Sequence, residues 1–383
     1  MALRARSRKA LTTLQVSLVV FVIVVLVAAA LILAAPTFMG GPSEEGIEGV
    51  RTVTITDSAG RNVTVTLPVE RVVVLNTDAA EAMCILGSRD RIVGVSDTVA
   101  SKDYLHMENL TTVGSWRDPN YEAIAELKPQ IVISYARWPG SELEEMLTPF
   151  NITVVRLDFY KPETFDSDLT KLAMILERED VASSFISWKR SIMDMVEDRL
   201  MDLQPEEKVK VYVEFGSRQW KTFSQGSATH QAIVAAGGIN IAEGFNVSYP
   251  EVSAEWVLEQ NPDVIVIADY GRVSGYSVED YAGMEQLWED TCNRLELMET
   301  NAVKNGRVYI VNSKLLGGMR TFIGELYLAK WFYPERFQDV DPEAVLRDYF
   351  ELWLGVEYRG VYAYPPFTET TSFKQGTFRG VSA

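Results

Sequence analysis

The chain has 383 residues, of which 47% are hydrophobic, and a formal net charge of −17. This length and apolar content suffice for two packed domains and exclude an intrinsically disordered chain. The acidic charge argues against nucleic acid and anionic membrane surfaces as partners, and two histidines are too few for a histidine-rich zinc or copper site. Cys84 lies in an apolar stretch and is predicted to be a buried free thiol, so we expect no disulfide with Cys292.

An uninterrupted apolar run extends from Leu18 to Ala35 and follows four basic residues near the N-terminus. It is long enough to cross a bilayer core of roughly 30 Å as one helix. The positive-inside rule places the basic end in the cytoplasm and the following chain outside. We therefore predict a basic tip and transmembrane anchor at residues 1–35, which contacts the membrane through residues 11–35, and a linker at 36–50. A cleaved signal peptide is the alternative, but its apolar region is usually about 7–15 residues long.

An α/β lobe is predicted for residues 51–165. Its first part, residues 51–67, alternates apolar and polar side chains, which is typical of a β-hairpin with a turn near Gly60. A buried strand, a helix from Ala79 to Leu86 and a second strand from Ile92 follow. This order of elements predicts a mainly parallel sheet covered by helices.

The segment after this lobe contains no strand pattern. Apolar residues spaced three and four apart from Glu179 to Leu203 predict one amphipathic helix. Its length of about 25 residues corresponds to roughly 37 Å at 1.5 Å per residue. A helix of this length can connect two lobes, so residues 166–204 are predicted to bridge them.

A helix–strand unit occurs twice in the chain. Glu122 and Glu255 each stand seven residues before a proline, and a run of Ile and Val follows each proline. Proline disfavours helical angles in the residue before it, so each helix is predicted to end there and a buried strand to begin. The repeat predicts a second α/β lobe at residues 205–358, built on the plan of the first, and a tail at 359–383. Its other predicted helices are Thr229–Ala236, Asp280–Leu297, Phe322–Trp331 and Ala344–Leu354.

Several short motifs, in their order and spacing, resemble the cobalamin- and iron-siderophore-binding class of ABC-importer substrate-binding proteins. They include Val113-Gly-Ser-Trp-Arg-Asp-Pro-Asn120, Ala235-Ala-Gly-Gly-Ile-Asn240 and Val303-Lys-Asn-Gly-Arg-Val308. The resemblance implies two α/β lobes joined by one long rigid helix, a ligand cleft between the lobes and little movement on closure. It also implies an ABC permease with its ATPase as partner, and no cofactor.

The resemblance further implies that one glutamate of each lobe, Glu122 and Glu255, docks onto arginines of the permease. A carboxylate in the first turn of a helix is also stabilised by the helix dipole, by about 0.3–1 kcal/mol. Helix capping is therefore the alternative for either glutamate alone. Matched places in two related lobes favour docking for the pair.

Loops at the carboxyl ends of the strands are expected to line the cleft, because ligands of α/β sheets bind there. Arginines and aromatic residues dominate these loops. Guanidinium groups bind carboxylates and aromatic rings give flat apolar contact, so we predict an anionic ligand. The same loops contain Asp78 and Phe159. The predicted ligand-binding residues are Asn76, Thr77, Trp116, Arg117, Tyr135, Arg137, Trp138, Tyr160, Arg218, Trp220, Tyr249, Tyr270, Arg272 and Arg320.

We predict a non-enzymatic receptor, held at the cell membrane by one span with a monomeric ectodomain outside. It would capture an anionic metal chelate, such as a ferric siderophore, and deliver it to the permease. Trp116 and Tyr135 match positions where the resemblance implies aromatic residues in cobalamin binders, so a corrinoid is the first alternative. A surface sensor without a permease is the second. An enzyme is the third, and the sequence contains no Ser-His-Asp order, nucleophile elbow or phosphate loop to support it.

Overall fold

The computed structural model describes residues 51–367. The predicted anchor, the linker and the end of the predicted tail lie outside these residues. Within residues 51–367, no helix has both the length and the apolar character that a membrane span requires. The strands are β1 (Arg51–Thr56), β2 (Asn62–Leu67), β3 (Val72–Val74), β4 (Ile92–Val95), β5 (Thr111–Thr112), β6 (Ile131–Ser134), β7 (Thr153–Arg156), β8 (Lys210–Phe215), β9 (Arg218–Thr222), β10 (Ile239–Asn240), β11 (Val264–Asp269), β12 (Val308–Asn312) and β13 (Ala363–Tyr364).

Helices alternate with most of these strands. The α-helices are α1 (Thr77–Ile85), α2 (Asp97–Ala100), α3 (Tyr121–Leu127), α4 (Glu142–Leu147), α5 (Pro162–Leu176), α6 (Glu179–Leu200), α7 (Ala228–Ala235), α8 (Ala254–Gln260), α9 (Ala282–Cys292), α10 (Asn301–Lys304), α11 (Thr321–Phe332) and α12 (Pro342–Asp348). Short 3-10 helices cover Arg89–Arg91, Asp103–Leu105, Thr148–Phe150, Pro205–Glu207, Ser313–Leu315 and Pro334–Phe337, and a π-helical turn covers Tyr349–Trp353.

The N-terminal lobe is built on a parallel sheet in the order β5-β4-β3-β6-β7. Its central strands β3 and β6 are buried at every position, as expected for a parallel sheet covered on both faces. The predicted hairpin is formed by β1 and β2, which pair from Arg51–Leu67 to Thr56–Asn62. This hairpin is a separate antiparallel sheet that lies against β7, where the Ser58 backbone N–H donates to the Arg156 carbonyl at 2.8 Å.

The C-terminal lobe has a sheet in the order β10-β8-β11-β12-β13, with β9 paired to β8. Two of its strands lie where the sequence predicted a loop or a tail. β9 folds back antiparallel on β8 where a loop was expected, since Glu214 pairs with Thr222 and Phe215 with Arg218. β13 lies in the predicted tail and pairs antiparallel with β12 through Tyr364 and Ile310. The part of the predicted tail that the structure describes is therefore joined to the lobe.

Helix α6 connects the two lobes and has 22 residues, or roughly 33 Å at 1.5 Å per residue. Its Phe185 is fully buried. The ring centroid of Phe185 lies 6.0 Å from that of Phe165 in α5 and 6.3 Å from that of Phe322 in α11. The bridging helix thus packs against elements on both sides, which opposes large rigid-body movement of one lobe against the other.

The repeated unit has the same structure in both lobes. Helices α3 and α8 have seven residues each and begin with a polar cap, Asn120 in one and Ser253 in the other. Each ends in a left-handed residue with φ of 47°, Lys128 or Asn261, directly before the proline. The prediction that proline ends both helices and a buried strand follows is confirmed.

A buried ion pair also joins the two lobes. The Arg320 guanidinium, just before α11, lies 2.8 Å from the Glu81 carboxylate in α1. The hydroxyls of Tyr104 and Tyr349 donate to the same carboxylate at 3.1 and 2.7 Å. A paired charge of this kind is costly to separate, so it opposes opening of the interface between the lobes.

Candidate functional site

A cavity of about 390 Å³, called the interlobe cleft below, lies between the lobes. Asp78 in α1 and Tyr160 after β7 line it from the N-terminal lobe. The C-terminal lobe contributes residues at or near the ends of its strands and the start of α7. This is the sheet edge at which α/β proteins bind ligands. The lining residues from that lobe are Phe215, Lys221, Phe223, Ser227, Ala228, Thr229, Tyr249, Tyr270, Ser313, Lys314, Leu316, Gly317 and Gly318.

Four aromatic rings form one wall of the cleft, called the aromatic wall below. The rings of Phe223, Phe215 and Tyr270 are stacked, with centroids 4.2 and 5.4 Å apart, and Tyr249 packs edge-on against Phe215 at 5.9 Å. Tyr249 and Tyr270 remain 53% and 51% exposed. Burial raises the pKa of Tyr270 to about 12, so its hydroxyl stays protonated. The wall therefore offers a flat apolar surface with a neutral hydroxyl group at Tyr270.

Two lysines place positive charge in the cleft. Neither Lys221 nor Lys314 forms an ion pair within residues 51–367. The lysines that do are Lys161, Lys171, Lys189 and Lys304. Lys221 lies over the Phe215 ring at 5.5 Å from its centroid. Burial and then the charge of Lys314 lower the pKa of Lys102, which places a third ammonium group near Lys314. The two lysines that line the cleft, Lys221 and Lys314, would attract a ligand with negative charge.

Asp78 is the carboxylate that lines the cleft. Burial raises its pKa, while the Lys314 ammonium and a hydrogen bond from the Tyr135 hydroxyl, 3.0 Å long, act in the opposite direction. Gly318 lies opposite with φ of 85°, and a Cβ atom there would come within 3.4 Å of the carboxylate. Glycine is therefore favoured at position 318, because it adopts the left-handed backbone conformation without strain and leaves room for the Asp78 carboxylate.

The start of helix α7 faces the cleft. Ser227 caps the helix, because its hydroxyl accepts the His230 backbone N–H at 3.1 Å. Ala228 and Thr229, in the first turn, line the cleft. Backbone N–H groups at a helix start have no acceptor within the helix and favour negative charge. They add to the positive charge of the two lysines that line the same cavity.

The structure brings together most of the aromatic site residues predicted in the N-terminal lobe. The Tyr135 ring lies 5.4 Å from that of Trp116 and 5.9 Å from that of Tyr160. The Arg117 guanidinium lies 4.5 Å from the Trp116 centroid and 5.5 Å from that of Trp138. Tyr160 ends this series at the cleft, and Arg137 is exposed near it. We call the series Trp138, Arg117, Trp116, Tyr135 and Tyr160 the aromatic ladder.

The remaining predicted site residues lie away from the cleft. Asn76 is buried and caps α1, and its amide donates to the Leu157 carbonyl at 3.1 Å. Thr77 is buried in the first turn of α1. Arg320 is buried in the ion pair with Glu81. Phe159, named with the same loops, is fully buried in the core.

The β8–β9 hairpin and its neighbouring loop place the other three predicted residues, Arg218, Trp220 and Arg272, away from the cleft. Arg218 and Arg272 line a separate cavity, where Arg218 pairs with Glu251 and Arg272 donates to the Gly216 carbonyl. Trp220 is covered by the Arg294 guanidinium, 4.9 Å from its ring centroid. Of the predicted residues in the C-terminal lobe, Tyr249 and Tyr270 line the cleft.

Sequence reasoning missed Phe215, Lys221, Phe223, Ser227 and Lys314. The hairpin explains three of them, because β9 carries the chain back to the cleft at Lys221 and Phe223 beside Phe215. A serine directly before an apolar helix is a cap signal that could have located Ser227. Lys314 follows β12 by two residues, so the rule for strand ends would have found it.

The predicted docking glutamates occupy matched positions. Glu122 and Glu255 are both exposed in the first turns of α3 and α8. Hydrogen bonds from its own backbone N–H and from the Ser253 hydroxyl lower the pKa of Glu255. The structure thus supports a capping contribution for Glu255, and exposure leaves both carboxylates accessible to another protein.

The profile of the periplasmic binding protein family matches residues 72–315 of this chain. The chain belongs to this family. It is 26% identical over 338 residues to the molybdate-binding protein MolA of Haemophilus influenzae, covering 80% of this chain and 92% of MolA. It is 29% identical over 203 residues to the vitamin B12-binding protein of Yersinia pestis, covering 52% of this chain and 69% of that protein.

Solved structures share the fold. The TroA-like periplasmic binding protein FepB from Veillonella parvula superposes with a TM-score of 0.69 at 24% identity, over 81% of this chain and 99% of FepB. Molybdate-bound MolA superposes with a TM-score of 0.65 at 23% identity, over 80% of this chain and 99% of MolA. The periplasmic binding proteins of ABC importers bind small solutes and interact with the permease, and this is the role of the family to which the chain belongs.

Proposed function

We propose that this chain captures an anionic metal chelate in the interlobe cleft and delivers it to the permease of an ABC importer. The observation that carries the proposal is the position of the aromatic wall beside Lys221 and Lys314 in one cavity. Ammonium groups bind the negative charge of a chelate, and flat rings cover the apolar surface of its organic part.

The chemistry of the cleft favours a chelate over a free oxyanion such as the molybdate named for MolA. A small oxyanion is surrounded by oxygen atoms and gains most from N–H and O–H donors. The stacked rings of Phe223, Phe215 and Tyr270 offer it few donors. Their apolar area is useful only to a ligand with an organic surface of its own.

A corrinoid is the second candidate. The aromatic ladder supports it, because four of its members are aromatic rings in one contact series that reaches the cleft at Tyr160, and the vitamin B12-binding relative is 29% identical. A corrinoid would use the ladder more than the lysines. The two candidates therefore differ in which variants weaken binding.

Titration of the purified full chain separates these ligands. Tryptophan fluorescence would be followed during addition of a ferric tris-catecholate chelate, cyanocobalamin or molybdate. We expect the ferric chelate to bind and each of Lys221→Gln and Lys314→Gln to weaken it by about 10–100-fold, since a hydrogen bond to a charged group contributes about 1.5–3 kcal/mol. Lys304→Gln is the matched control, because Lys304 is exposed and pairs with Glu299 away from the cleft. Binding of molybdate alone, or a chelate affinity unchanged by both cleft variants, would contradict the proposal.

We also propose that Glu122 and Glu255 dock onto the permease. Their exposed, matched positions on the two lobes support this role. Combined Glu122→Lys and Glu255→Lys should abolish uptake of the chelate and leave its affinity unchanged. Glu126→Lys with Glu259→Lys is the control, since both residues are exposed one turn later on the same helices. Normal uptake by the docking variant would exclude this role.

Finally, we propose that residues 1–35 anchor the chain in the cell membrane with residues 51–367 outside. The support is the apolar run from Leu18 to Ala35 after four basic residues. The full chain should remain in the membrane fraction after a high-salt wash, and a chain lacking residues 1–35 should be released. Release of the full chain would argue for cleavage or for no anchor.

A further inference from the structure

A second cavity of about 390 Å³ lies between the bridging helix α6 and the C-terminal lobe. Its walls are mostly apolar and include Met193, Val196 and Leu200 of α6, Leu203 after it and Val234 of α7. Glu325 of α11 lines the same cavity. We call this cavity the Glu325 pocket. It shares no lining residue with the interlobe cleft.

Glu325 is an unusual group for such a place. Glu325 is only 7% exposed, and burial raises the pKa of its carboxyl group to about 7. Within residues 51–367, no hydrogen bond contributes to this shift, and Lys189 is the cation that opposes it. The Lys189 ammonium is itself 2.6 Å from Asp166. A buried carboxylate without a close partner is costly, so this one is suited to a ligand that brings the missing charge.

The other charged groups at the pocket do not supply that charge from within. Glu197 of α6 and Lys208 before β8 line the pocket, and both residues are exposed. Exposed charges in water are screened and contribute little. The pocket therefore has one buried carboxylate among mostly apolar side chains.

We propose that the Glu325 pocket binds a small apolar amine, with its ammonium group at Glu325 and its hydrocarbon part against Met193, Val196, Leu200 and Val234. A cavity of a few hundred Å³, lined by apolar side chains with a single polar group, is the usual form of a small-molecule site. An apolar acid would place two negative charges together. An apolar alcohol would fill the pocket and leave the carboxylate without a counter-charge.

The pocket lies at the opposite end of α7 from the interlobe cleft. Ser227 caps the helix at the cleft, while Val234 and Ala235 in its last turn line the pocket. The site is thus separate from the cleft, and it is independent of the solute proposed for the cleft.

The test is calorimetric titration of the full chain at pH 8 with three ligands of the same shape, cyclohexylammonium, cyclohexanol and cyclohexanecarboxylate. We expect the amine to bind at least tenfold more tightly than the alcohol, and the acid not to bind. The preference should diminish between pH 8 and pH 6, because Glu325 becomes protonated while the amine stays charged. Glu325→Gln should abolish the tenfold preference for the amine, and Asp198→Asn, at an exposed residue of α6 that does not line the pocket, should retain it.

Val234→Trp provides a second variant that leaves the carboxylate in place. It should fill the pocket and abolish binding of both amine and alcohol, with the thermal unfolding temperature showing that the chain is folded. Equal affinity for amine and alcohol in the wild-type chain would overturn the proposal. So would no binding of either ligand, or a tenfold amine preference that persists in Glu325→Gln.

Discussion

The buried Glu325 carboxylate predicts how the stability of the chain depends on pH. Its pKa is about 7 in the folded chain, against 4.5 for the ordinary carboxyl group. Between these values the folded state binds more protons than the unfolded state, so the free energy of unfolding falls as pH rises from about 4.5 through 7. The difference of about 2.5 pH units corresponds to roughly 3 kcal/mol at pH 8, as an upper value.

Glu325→Gln keeps the shape of the side chain and removes its titration. The variant should match the wild-type chain near pH 5 and be more stable at pH 8. For roughly 320 folded residues, 3 kcal/mol corresponds to about 4–5 °C in the unfolding temperature. Charges that act on this carboxylate or line its pocket are Lys189, Glu197 and Lys208. Glu197→Gln is therefore the control, and it should leave the pH dependence unchanged because this residue is exposed.

Thermal unfolding of the three chains, followed by tryptophan fluorescence from pH 5 to pH 8, measures the effect. A difference between wild type and Glu325→Gln that grows with pH is the expected result. If the two chains lose stability in parallel as pH rises, Glu325 is not the group responsible and the reasoning is refuted.

Three further predictions concern the stability of the fold. Glu81→Gln should lower the free energy of unfolding by about 3–5 kcal/mol in urea denaturation, because it leaves Arg320 buried without its partner, and a change below 1 kcal/mol would contradict this. Phe185→Ala should cost about 3–5 kcal/mol in the same assay, since the ring is fully buried between helices of both lobes, whereas Met193→Ala, at a residue of α6 that is 36% exposed, should cost far less. Ser227→Ala should cost about 1 kcal/mol by removing the cap of α7, and Ser227→Asn should restore most of it if the cap is the cause.

The sequence predicted the scaffold well where local chemistry determines it. The two copies of the repeat were found because proline ends a helix in any context, and both copies do end in a left-handed residue before proline. The bridging helix was found because its apolar spacing extends over many turns. Its end was placed at Leu203 rather than Leu200, since helix ends depend on capping contacts that apolar spacing does not reveal.

The site was predicted less completely, because it depends on contacts between distant parts of the chain. Arg320 was assigned to the ligand, but its partner Glu81 is 239 positions away in the sequence. Lys221 was missed because β9 has a weak strand pattern and forms only by pairing with β8. Tyr249 and Tyr270 were found because aromatic residues after a strand or in a loop can be recognised locally.

The identity of the bound solute tests the central claim most directly. The full chain would be purified from its own cells, and the visible absorption spectrum and mass of any released ligand would be recorded together with its metal content. The predicted result is a metal bound to an organic anion. Lys221→Gln and Lys314→Gln should each retain less of this ligand than the wild-type chain. A corrinoid spectrum, or molybdenum released without an organic ligand, would contradict it.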